Sequence, residues 1–253
     1  MMLEQVLRAT VGRVAGLPGA EEYPTPPPSA SRSLNEAIHQ DKPGNRIIAE
    51  IKYASPSAGT IRSSGDPVGF ARDFARAGAT ALSVLTEPHY FHGDAAFLPA
   101  IRPHVDLPLL RKDFIIDERQ LAESRALTAD AVLLIAGVLG DRLGDMVGLA
   151  FAYGLEPLVE VHAAHEVQRV LSTGTRLAGI NNRDLRTFRI DLGTTMKLSP
   201  LLREAGMTVV SESGILWPYD IRILRPSADA FLVGSTIMRA QDPVQRLEGL
   251  IRG

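Results

Sequence analysis

The chain of 253 residues contains no cysteine, and this absence narrows the chemistry that it can perform. Disulfide bonds, thiolate metal sites and cysteine nucleophiles are all excluded. No run of basic residues interleaved with aromatic residues is present. The 27 basic and 29 acidic residues nearly balance, so no overall charge attracts nucleic acid or an anionic membrane. We therefore expect neither of those partners.

Long apolar segments are also missing. No apolar run approaches the length that spans a bilayer. The first segment, MMLEQVLRATVGRVAGLPGA, carries Glu4, Arg8 and Arg13, which interrupt the apolar core that a signal peptide needs. We expect a soluble, cytoplasmic protein.

Residues 1–45 differ in pattern from the rest of the chain. The segment MLEQVLRATVGRVAGL has the apolar spacing of a helix, and SLNEAIHQ predicts a short helix with Ser33 as its N-cap. Between them, EEYPTPPPSASR is rich in proline and predicts an extended, exposed linker. We interpret residues 1–45 as a helical extension without a core of its own.

From Arg46 onward, short apolar runs that are typical of β-strands recur along the chain. They cover residues 46–52, 80–86, 107–113, 130–136, 157–162, 177–182, 207–213 and 229–235. Amphipathic helical segments lie between most of them, at residues 66–79, 118–129, 140–154, 165–174 and 192–206. Gly154, Gly174 and Gly206 stand where helices prefer to end.

Eight strands that alternate with helices predict an α/β protein with a parallel sheet. The number of units and the length are those of a (β/α)8 TIM barrel. An open, doubly wound sheet is the rival fold, but the first strand is followed by KYASPSAG rather than by a glycine-rich phosphate loop. We therefore predict a single barrel domain over residues 1–253, with the helical extension at its N-terminus.

Charged residues interrupt several of these apolar strands near their ends. In IIAEIK, Glu50 and Lys52 flank Ile51 and so point to the same side of a strand, and Glu160 lies inside the apolar run PLVEVH. Lys112 ends another strand. Barrel enzymes place their active sites at the carboxyl ends of the strands. Two lysines and two glutamates gathered there suit general acid–base catalysis.

The other strand ends favour an anion site. Strand ends carry the groups Thr86–Glu87, Arg111–Asp113, Asn181–Arg183, Ser211–Gly214 and Gly234–Ser235. The loops SESGI and VGSTIM follow the last two strands, where barrels often bind phosphate. The loop ASPSAG after the first strand adds the hydroxyl group of Ser55.

Histidines provide little support for a metal site. His89 and His92 are three residues apart, as are His162 and His165, but no carboxylate stands at a convincing spacing for a third ligand. We expect no metal, and we expect His162 to be a rim or surface residue.

These motifs together resemble the indole-3-glycerol phosphate synthase family of tryptophan biosynthesis. The matching segments are IIAEIKYASPSAG, LSVLTEPHYFHGD, LRKDFIID, LVEVH, GINNRDLRTF, SESGI and FLVGSTIM, in the order of the family. The resemblance implies a TIM barrel whose N-terminal helical segment covers the mouth. It also implies ring closure of 1-(2-carboxyphenylamino)-1-deoxyribulose 5-phosphate with loss of carbon dioxide and water, without cofactor or metal.

The resemblance also implies roles for individual residues. The catalytic positions would be Glu50, Lys52, Lys112, Glu160, Asn181 and Ser213. The substrate-binding positions would be Ser55, Phe91, Phe114, Arg183, Gly214, Gly234 and Ser235. Lys112 would protonate the ketone oxygen, Glu160 would assist dehydration, and Arg183 would pair with the substrate carboxylate. We expect a monomer or weak homodimer that can associate with other enzymes of the pathway.

The sequence departs from the family pattern at two positions. Tyr53 replaces the usual arginine or lysine, and Ala58 stands where the family often has lysine. We expect both changes to remove a positive charge near the site, and Arg183 to bind the carboxylate without them. Two alternatives stay open: another phosphate-binding barrel enzyme, such as an isomerase or a Schiff-base aldolase, and a non-catalytic barrel. A paralogue that acts on a related anilino sugar phosphate belongs with the first of them.

Overall fold

The computed structural model describes residues 2–24, 32–63, 65–184 and 186–253. Eight parallel strands form a closed barrel in the order β1-β10-β9-β8-β7-β6-β5-β4. The barrel strands are β1 (Ile47–Ile51), β4 (Ala81–Leu85), β5 (Leu109–Lys112), β6 (Ala131–Ile135), β7 (Glu156–Val161), β8 (Leu177–Asn181), β9 (Thr208–Glu212) and β10 (Ala230–Val233). The predicted TIM barrel is confirmed. A small hairpin of β2 (Ala54–Ser55) and β3 (Gly59–Thr60) follows β1.

Helices separate the barrel strands along the chain. They are α1 (Met2–Ala15), α2 (Leu34–His39), α3 (Pro67–Arg76), α4 (Pro88–Phe91), α5 (Phe97–Ile101), α6 (Glu118–Ala126), α7 (Ala136–Leu139), α8 (Leu143–Ala152), α9 (Ala164–Leu171), α10 (Gly193–Glu204), α11 (Pro218–Leu224), α12 (Ser235–Met238) and α13 (Pro243–Arg252). Short 3-10 turns occur at Ala20–Glu22, Arg102–His104 and Gly140–Arg142. None of the helices in the described ranges combines the length and the apolar character that crossing a bilayer requires.

The strands are apolar on both faces because each face is covered. Toward the axis, residues such as Ile48, Leu110 and Leu158 fill the barrel interior. Toward the outside, Ile47 and Val159 pack in the layer between the strands and the helices. Burial on both faces is usual for parallel sheets, and it explains the nearly continuous apolar runs in the sequence.

The N-terminal extension divides between the two ends of the barrel. Leu34 and Ile38 of α2 pack into the interior cluster, and the Leu34 amide donates to Glu156 at the start of β7. The helix α2 therefore closes the amino ends of the strands. Within the described part of the extension, α1 lies over the carboxyl ends. The expectation that the N-terminal helical segment covers the mouth therefore holds for α1 and is wrong for α2. Most of the predicted linker, residues 25–31, lies outside the described residues.

Local signals in the sequence located the helix ends well. Ser33 Oγ accepts a hydrogen bond of 3.0 Å from the Glu36 amide and is the predicted N-cap of α2. Gly154 and Gly206 follow the ends of α8 and α10 with φ of 69° and 75°, in the left-handed region that favours glycine. The strand boundaries lie within two residues of the predicted ones, and Lys52 lies just beyond β1.

Candidate active site

A cavity of about 330 Å³ opens at the carboxyl ends of the barrel strands. All the residues predicted for the site line it: Glu50, Lys52, Ser55, Phe91, Lys112, Phe114, Glu160, Asn181, Arg183, Ser213, Gly214, Gly234 and Ser235. They come from segments that are far apart in the chain, and closure of the barrel brings them together. The side of α1 that carries Leu3 and Val6 forms part of the wall.

Lys112 occupies the centre of the charged cluster. Its Nζ atom lies 3.3 Å from Glu160 Oε2 and 3.1 Å from Glu212 Oε2, and its side chain is 17% exposed. Burial alone would lower the pKa of Lys112, but the carboxylates of Glu212, Glu160 and Glu50 outweigh it and raise the pKa. Lys112 is therefore protonated before substrate arrives.

The two carboxyl groups around Lys112 differ in charge state. Burial would raise the pKa of Glu160, but Lys112 and then His162 lower it. In Glu212, burial and the neighbouring Glu160 outweigh the attraction of Lys112 and raise the pKa to about 8. Both carboxyl groups contact the same ammonium group, and two neighbouring buried carboxyl groups do not ionise independently. Glu160 is the ionised member of the pair and Glu212 is the protonated one.

Glu50 and Lys52 form the second ion pair of the cavity. Lys52 Nζ lies 2.5 Å from Glu50 Oε1, in agreement with the prediction that they share one side. Glu50 Oε2 is buried without a hydrogen-bond partner among the described residues. A Cβ atom on Gly234 would lie within 2.2 Å of Glu50 Oε1. Glycine at position 234 is therefore needed to leave room for the Glu50 carboxylate.

The other end of the cavity has a glycine and serine wall with two arginines. Gly214 has φ of 86°, and a Cβ atom there would lie within 2.5 Å of Ile190. Arg183 is half-buried and donates to the Phe188 carbonyl oxygen at 3.3 Å. Burial and then the positive charge of Arg239 lower the pKa of Arg183. Arg183 and Arg239 both line this end of the cavity, and two positive charges there favour an anion.

An aromatic wall completes the cavity. The ring centroids of Phe91 and Phe114 are 6.2 Å apart, with the planes tilted by 44°. Leu85 and Leu133 line the cavity as well. This wall fits a flat aromatic ring, whereas the Arg183 end fits charged groups.

Sequence reasoning missed two functional candidates in this cavity. Glu212 follows TVVS in a strand just as Glu50 follows IIA, so the signal of an acid inside an apolar strand was available. Space for its side chain comes from Gly179 on β8, where a Cβ atom would lie within 2.1 Å of Glu212 Oε1. Arg239 also lines the cavity, and the end of the short helix α12 gives no comparable signal.

The structure separates the two departures from the family pattern. The Tyr53 hydroxyl donates to the Gly65 carbonyl oxygen at 3.1 Å, and its ring packs edge-on to Phe97 outside the cavity. The expectation that Tyr53 removes a charge from the site is therefore wrong, because position 53 faces the helices. Ala58 does line the cavity, and Arg239 donates to its carbonyl oxygen at 3.3 Å. Arg239 thus places a positive charge beside Ala58, the position where the family often has lysine.

The strand end Arg111–Asp113 serves two purposes. Lys112 enters the cavity, whereas Arg111 is 0% exposed and its guanidinium contacts Asp113 and Glu123 behind the barrel wall. The Asp113 carboxylate is also bound by Arg13 of α1 at 2.6 and 2.8 Å. Arg111 is therefore a structural residue, although the sequence groups it with reactive ones.

The histidines of the described residues do not belong to a group that could hold a metal ion. No group of three or more His, Asp or Glu side chains there is arranged to hold a metal ion. His89 and His92 are exposed in and after α4. The side chain of His162 is largely buried, and its Nε2 atom lies 3.3 Å from Glu160 Oε1.

Comparisons with known proteins agree with this geometry. The family described as indole-3-glycerol phosphate synthase matches residues 19–250. The chain belongs to the indole-3-glycerol phosphate synthase family. The resemblance seen in the motifs is confirmed.

Individual relatives cover most of the chain. The indole-3-glycerol phosphate synthase of Carboxydothermus hydrogenoformans is 46% identical over 87% of this chain and 84% of its own. The enzyme of that name from Acidithiobacillus ferrooxidans is 45% identical over 98% of this chain and 94% of its own. A solved structure from Aquifex aeolicus covers 87% of this chain and 96% of its own with a TM-score of 0.63. At 12% identity it supports the fold alone.

Proposed function

We propose that this chain is an indole-3-glycerol phosphate synthase. It closes the ring of 1-(2-carboxyphenylamino)-1-deoxyribulose 5-phosphate, releases carbon dioxide and water, and is a carbon–carbon lyase of tryptophan biosynthesis. The observation that carries the proposal is the position of Lys112, whose ammonium group lies between Glu160 and Glu212 inside a cavity with an aromatic wall. Membership of the family supports the same activity.

The first step forms the carbon–carbon bond. The ring carbon that carries the carboxylate attacks the ketone carbon, and Lys112 donates a proton to the ketone oxygen. The raised pKa of Lys112 keeps this proton in place, and the oxygen becomes the stronger base as the bond forms. Breaking the bond to the carboxylate then releases carbon dioxide and restores the electrons of the ring.

The second step removes water from the new hydroxyl group. Glu212 is protonated up to about pH 8 and donates to the leaving oxygen. The ionised Glu160 then takes a proton from the cationic intermediate, which leaves an aromatic indole. Asn181 helps to lower the pKa of Glu160, and we assign it and Ser213 to holding the reacting region. One acid and one base of opposite charge state are what a dehydration needs.

The remaining predicted residues bind the substrate. Arg183 pairs with the carboxylate, and the Lys52–Glu50 pair orients the ring and takes part in proton transfer. Ser55, Gly214, Gly234 and Ser235 hold the phosphate group, and Arg239 adds a charge beside Ala58. Phe91 and Phe114 pack against the aromatic ring. Charge-assisted hydrogen bonds of this kind contribute about 1.5–3 kcal/mol each.

Product formation tests the proposal directly. Purified protein is mixed with the anilino-deoxyribulose phosphate, and indole fluorescence is followed over time, with Lys112→Ala as the inactive control. We expect fluorescence from the parent protein and none from the variant on the same time scale. An inactive parent, or a borohydride-trapped adduct on Lys112 or Lys52, would overturn the assignment in favour of a binding barrel or an aldolase.

Further features of the enzyme stay predictions. We propose that it works in the cytoplasm without cofactor or metal, as a monomer or weak homodimer. Association with other tryptophan-pathway enzymes also stays a prediction. Residues 1–253 are proposed to form one domain, with α1 and α2 joined to the barrel through Arg13 and Leu34.

A further inference from the structure

His162 is a titratable group beside the reacting carboxylates that has no part in the steps above. It follows β7 directly, two residues after Glu160, and its side chain is 15% exposed. Its Nε2 atom lies 3.3 Å from Glu160 Oε1. The opposite ring nitrogen, Nδ1, lies 3.9 Å from Glu166 Oε2. The imidazole ring therefore stands between a cavity carboxylate and one at the start of α9.

The surroundings of His162 fix its backbone but leave Nε2 unsatisfied. Glu166 Oε2 accepts hydrogen bonds from the amides of His162 and Ala163, at 2.6 and 3.3 Å. Nε2 is buried and makes no aligned hydrogen bond within the described residues. A buried polar atom without a partner destabilises the fold, and such a cost in a native structure calls for a functional reason. The nearby Oε1 of Glu160 supplies one, because a small rotation would complete the bond.

An asymmetry between Glu160 and Glu212 shows what this contact does. Lys112 lies at nearly equal distances from the two carboxyl groups and therefore cannot decide which of them keeps the shared proton. Asn181 and His162 both face Glu160. Glu212 Oε1, in contrast, is buried without a partner in the described part of the chain. These two neighbours thus favour the ionised form of Glu160.

We propose that His162 is a positioning residue that acts through Glu160: its imidazole holds the Glu160 carboxylate ionised and oriented toward Lys112, and thereby keeps the shared proton on Glu212. The inference rests on the proposed function, and it adds the device that assigns base and acid within one pair. The lowered pKa of Glu160 and the raised pKa of Glu212 agree with it.

Other charges near the pair come from separate elements. Lys112 on β5 attracts both carboxyl groups, and Glu50 on β1 acts on Lys112. Lys52 is occupied by Glu50. His162 and Asn181 are therefore the neighbours that distinguish Glu160 from Glu212, and His162 is the one of these two that does not line the cavity.

Substitutions of His162 test the proposal through turnover. His162→Met removes the N–H donor at similar length, whereas His162→Gln places an amide N–H donor near the position of Nε2. We expect His162→Met to lower kcat about tenfold with KM nearly unchanged, and His162→Gln to recover most of the loss. His165→Met, at an exposed position in the first turn of α9, is the matched control and should leave both constants unchanged. A rise in KM, or no rescue by His162→Gln, would overturn the proposal.

A second measurement uses the substrate-free protein, so it does not depend on the reaction. Infrared spectroscopy follows the carboxylic-acid band against pH, and the band lost in Glu212→Gln identifies the shared proton. We expect His162→Met to retain this proton to a pH about one unit higher, because Glu160 becomes more basic. The proposed role of His162 would be refuted if His162→Met titrated like the parent protein. It would also be refuted if the acid band survived in the single variant Glu212→Gln. If the titration shifts as expected but the parent protein does not turn over the substrate, the proposed function alone is refuted.

Discussion

Arg111 and Lys112 are consecutive residues of β5, and each belongs to a buried cluster of charged side chains. The two clusters differ in how completely their charges are paired. Every guanidinium nitrogen of Arg111 has an acceptor, with contributions from Thr86, Asp113, Glu123 and Ser124 among others. Lys112, one residue later, shares its ammonium group between two carboxyl groups. The first cluster is packed between the strands and the helices, and the second faces a cavity.

Unpaired atoms distinguish the two clusters. Glu50 Oε2, Glu212 Oε1 and His162 Nε2 are buried without hydrogen-bond partners in and beside the Lys112 cluster. In the Arg111 cluster only Arg13 Nε shares this state among the described residues. Fully paired buried charges fix a geometry, whereas partly paired ones keep capacity for a ligand and shifted pKa values. The comparison teaches that burial of a charge does not reveal its role, but the completeness of its pairing does.

Replacement of Lys112 should have the largest effect, and on activity. Lys112→Ala removes the proton donor of the first step, so we expect kcat to fall about 10⁴-fold, or ~5 kcal/mol in barrier. The fold should persist, because Glu160 and Glu212 can take up protons once the ammonium group is gone. Steady-state kinetics and thermal unfolding measure the two quantities. A kcat within about tenfold of the parent would mean that another group is the acid.

Replacement of Arg111 should affect stability instead. Arg111→Met removes the buried partner of Glu123 and leaves Asp113 with Arg13 alone, and breaking such a buried pair costs about 3–5 kcal/mol. Urea unfolding measures the loss. The control is Arg252→Met, which removes an exposed ion pair within α13 and should cost less than about 0.5 kcal/mol. Equal losses in the two variants would contradict the structural role of Arg111.

The two clusters should respond to pH in opposite directions. The pKa of Asp113 lies at about 2, below its ordinary 3.8: burial opposes this shift, but Arg111 and Arg13 outweigh it. Its stabilisation is present above 3.8 and is lost as pH falls toward 2. Glu212 is protonated in the folded state up to about 8 but ionised above 4.5 when unfolded, so the folded state binds the extra proton. Stability therefore falls between these values as pH rises.

The dependence of the free energy of unfolding on pH distinguishes the two clusters experimentally. Linkage limits it to about 1.4 kcal/mol per pH unit for one proton. Urea unfolding at a series of pH values should show the fall in the parent and its loss in Glu212→Gln, whereas acid destabilisation below 3.8 persists. A parent whose stability is level between 4.5 and 8 would refute the protonated state of Glu212.

Cations at the rim should show the smallest effects. Arg183→Ala removes a half-buried guanidinium from the anion end, so we expect KM to rise about 10–100-fold with little change in kcat. Arg239→Ala removes an exposed one and should raise KM about fivefold. Steady-state kinetics with the anilino sugar phosphate measures both. An unchanged KM in Arg183→Ala would place the substrate carboxylate elsewhere.

Local patterns in the sequence were enough to predict most of the charged residues that line the cavity. Acids and lysines inside apolar strands identified Glu50, Lys112 and Glu160, and the glycine and serine loops identified Gly214 and Gly234. Arg239 was not predicted, because an arginine after a short helix has the same pattern as any exposed residue. Glu212 was visible as a strand-end acid, but nothing in the sequence showed that it approaches Lys112, 100 residues away.

Alternation of strand and helix, fixed by the spacing of apolar residues, determined the barrel and the end at which the chemistry lies. Only the tertiary structure decided three other features. These are which of Arg111 and Lys112 enters the cavity, which end of the barrel α2 closes, and which carboxyl group keeps the shared proton. Spacing is a local property of the chain, whereas charge state depends on burial and on partners that only the closed ring of strands brings within contact.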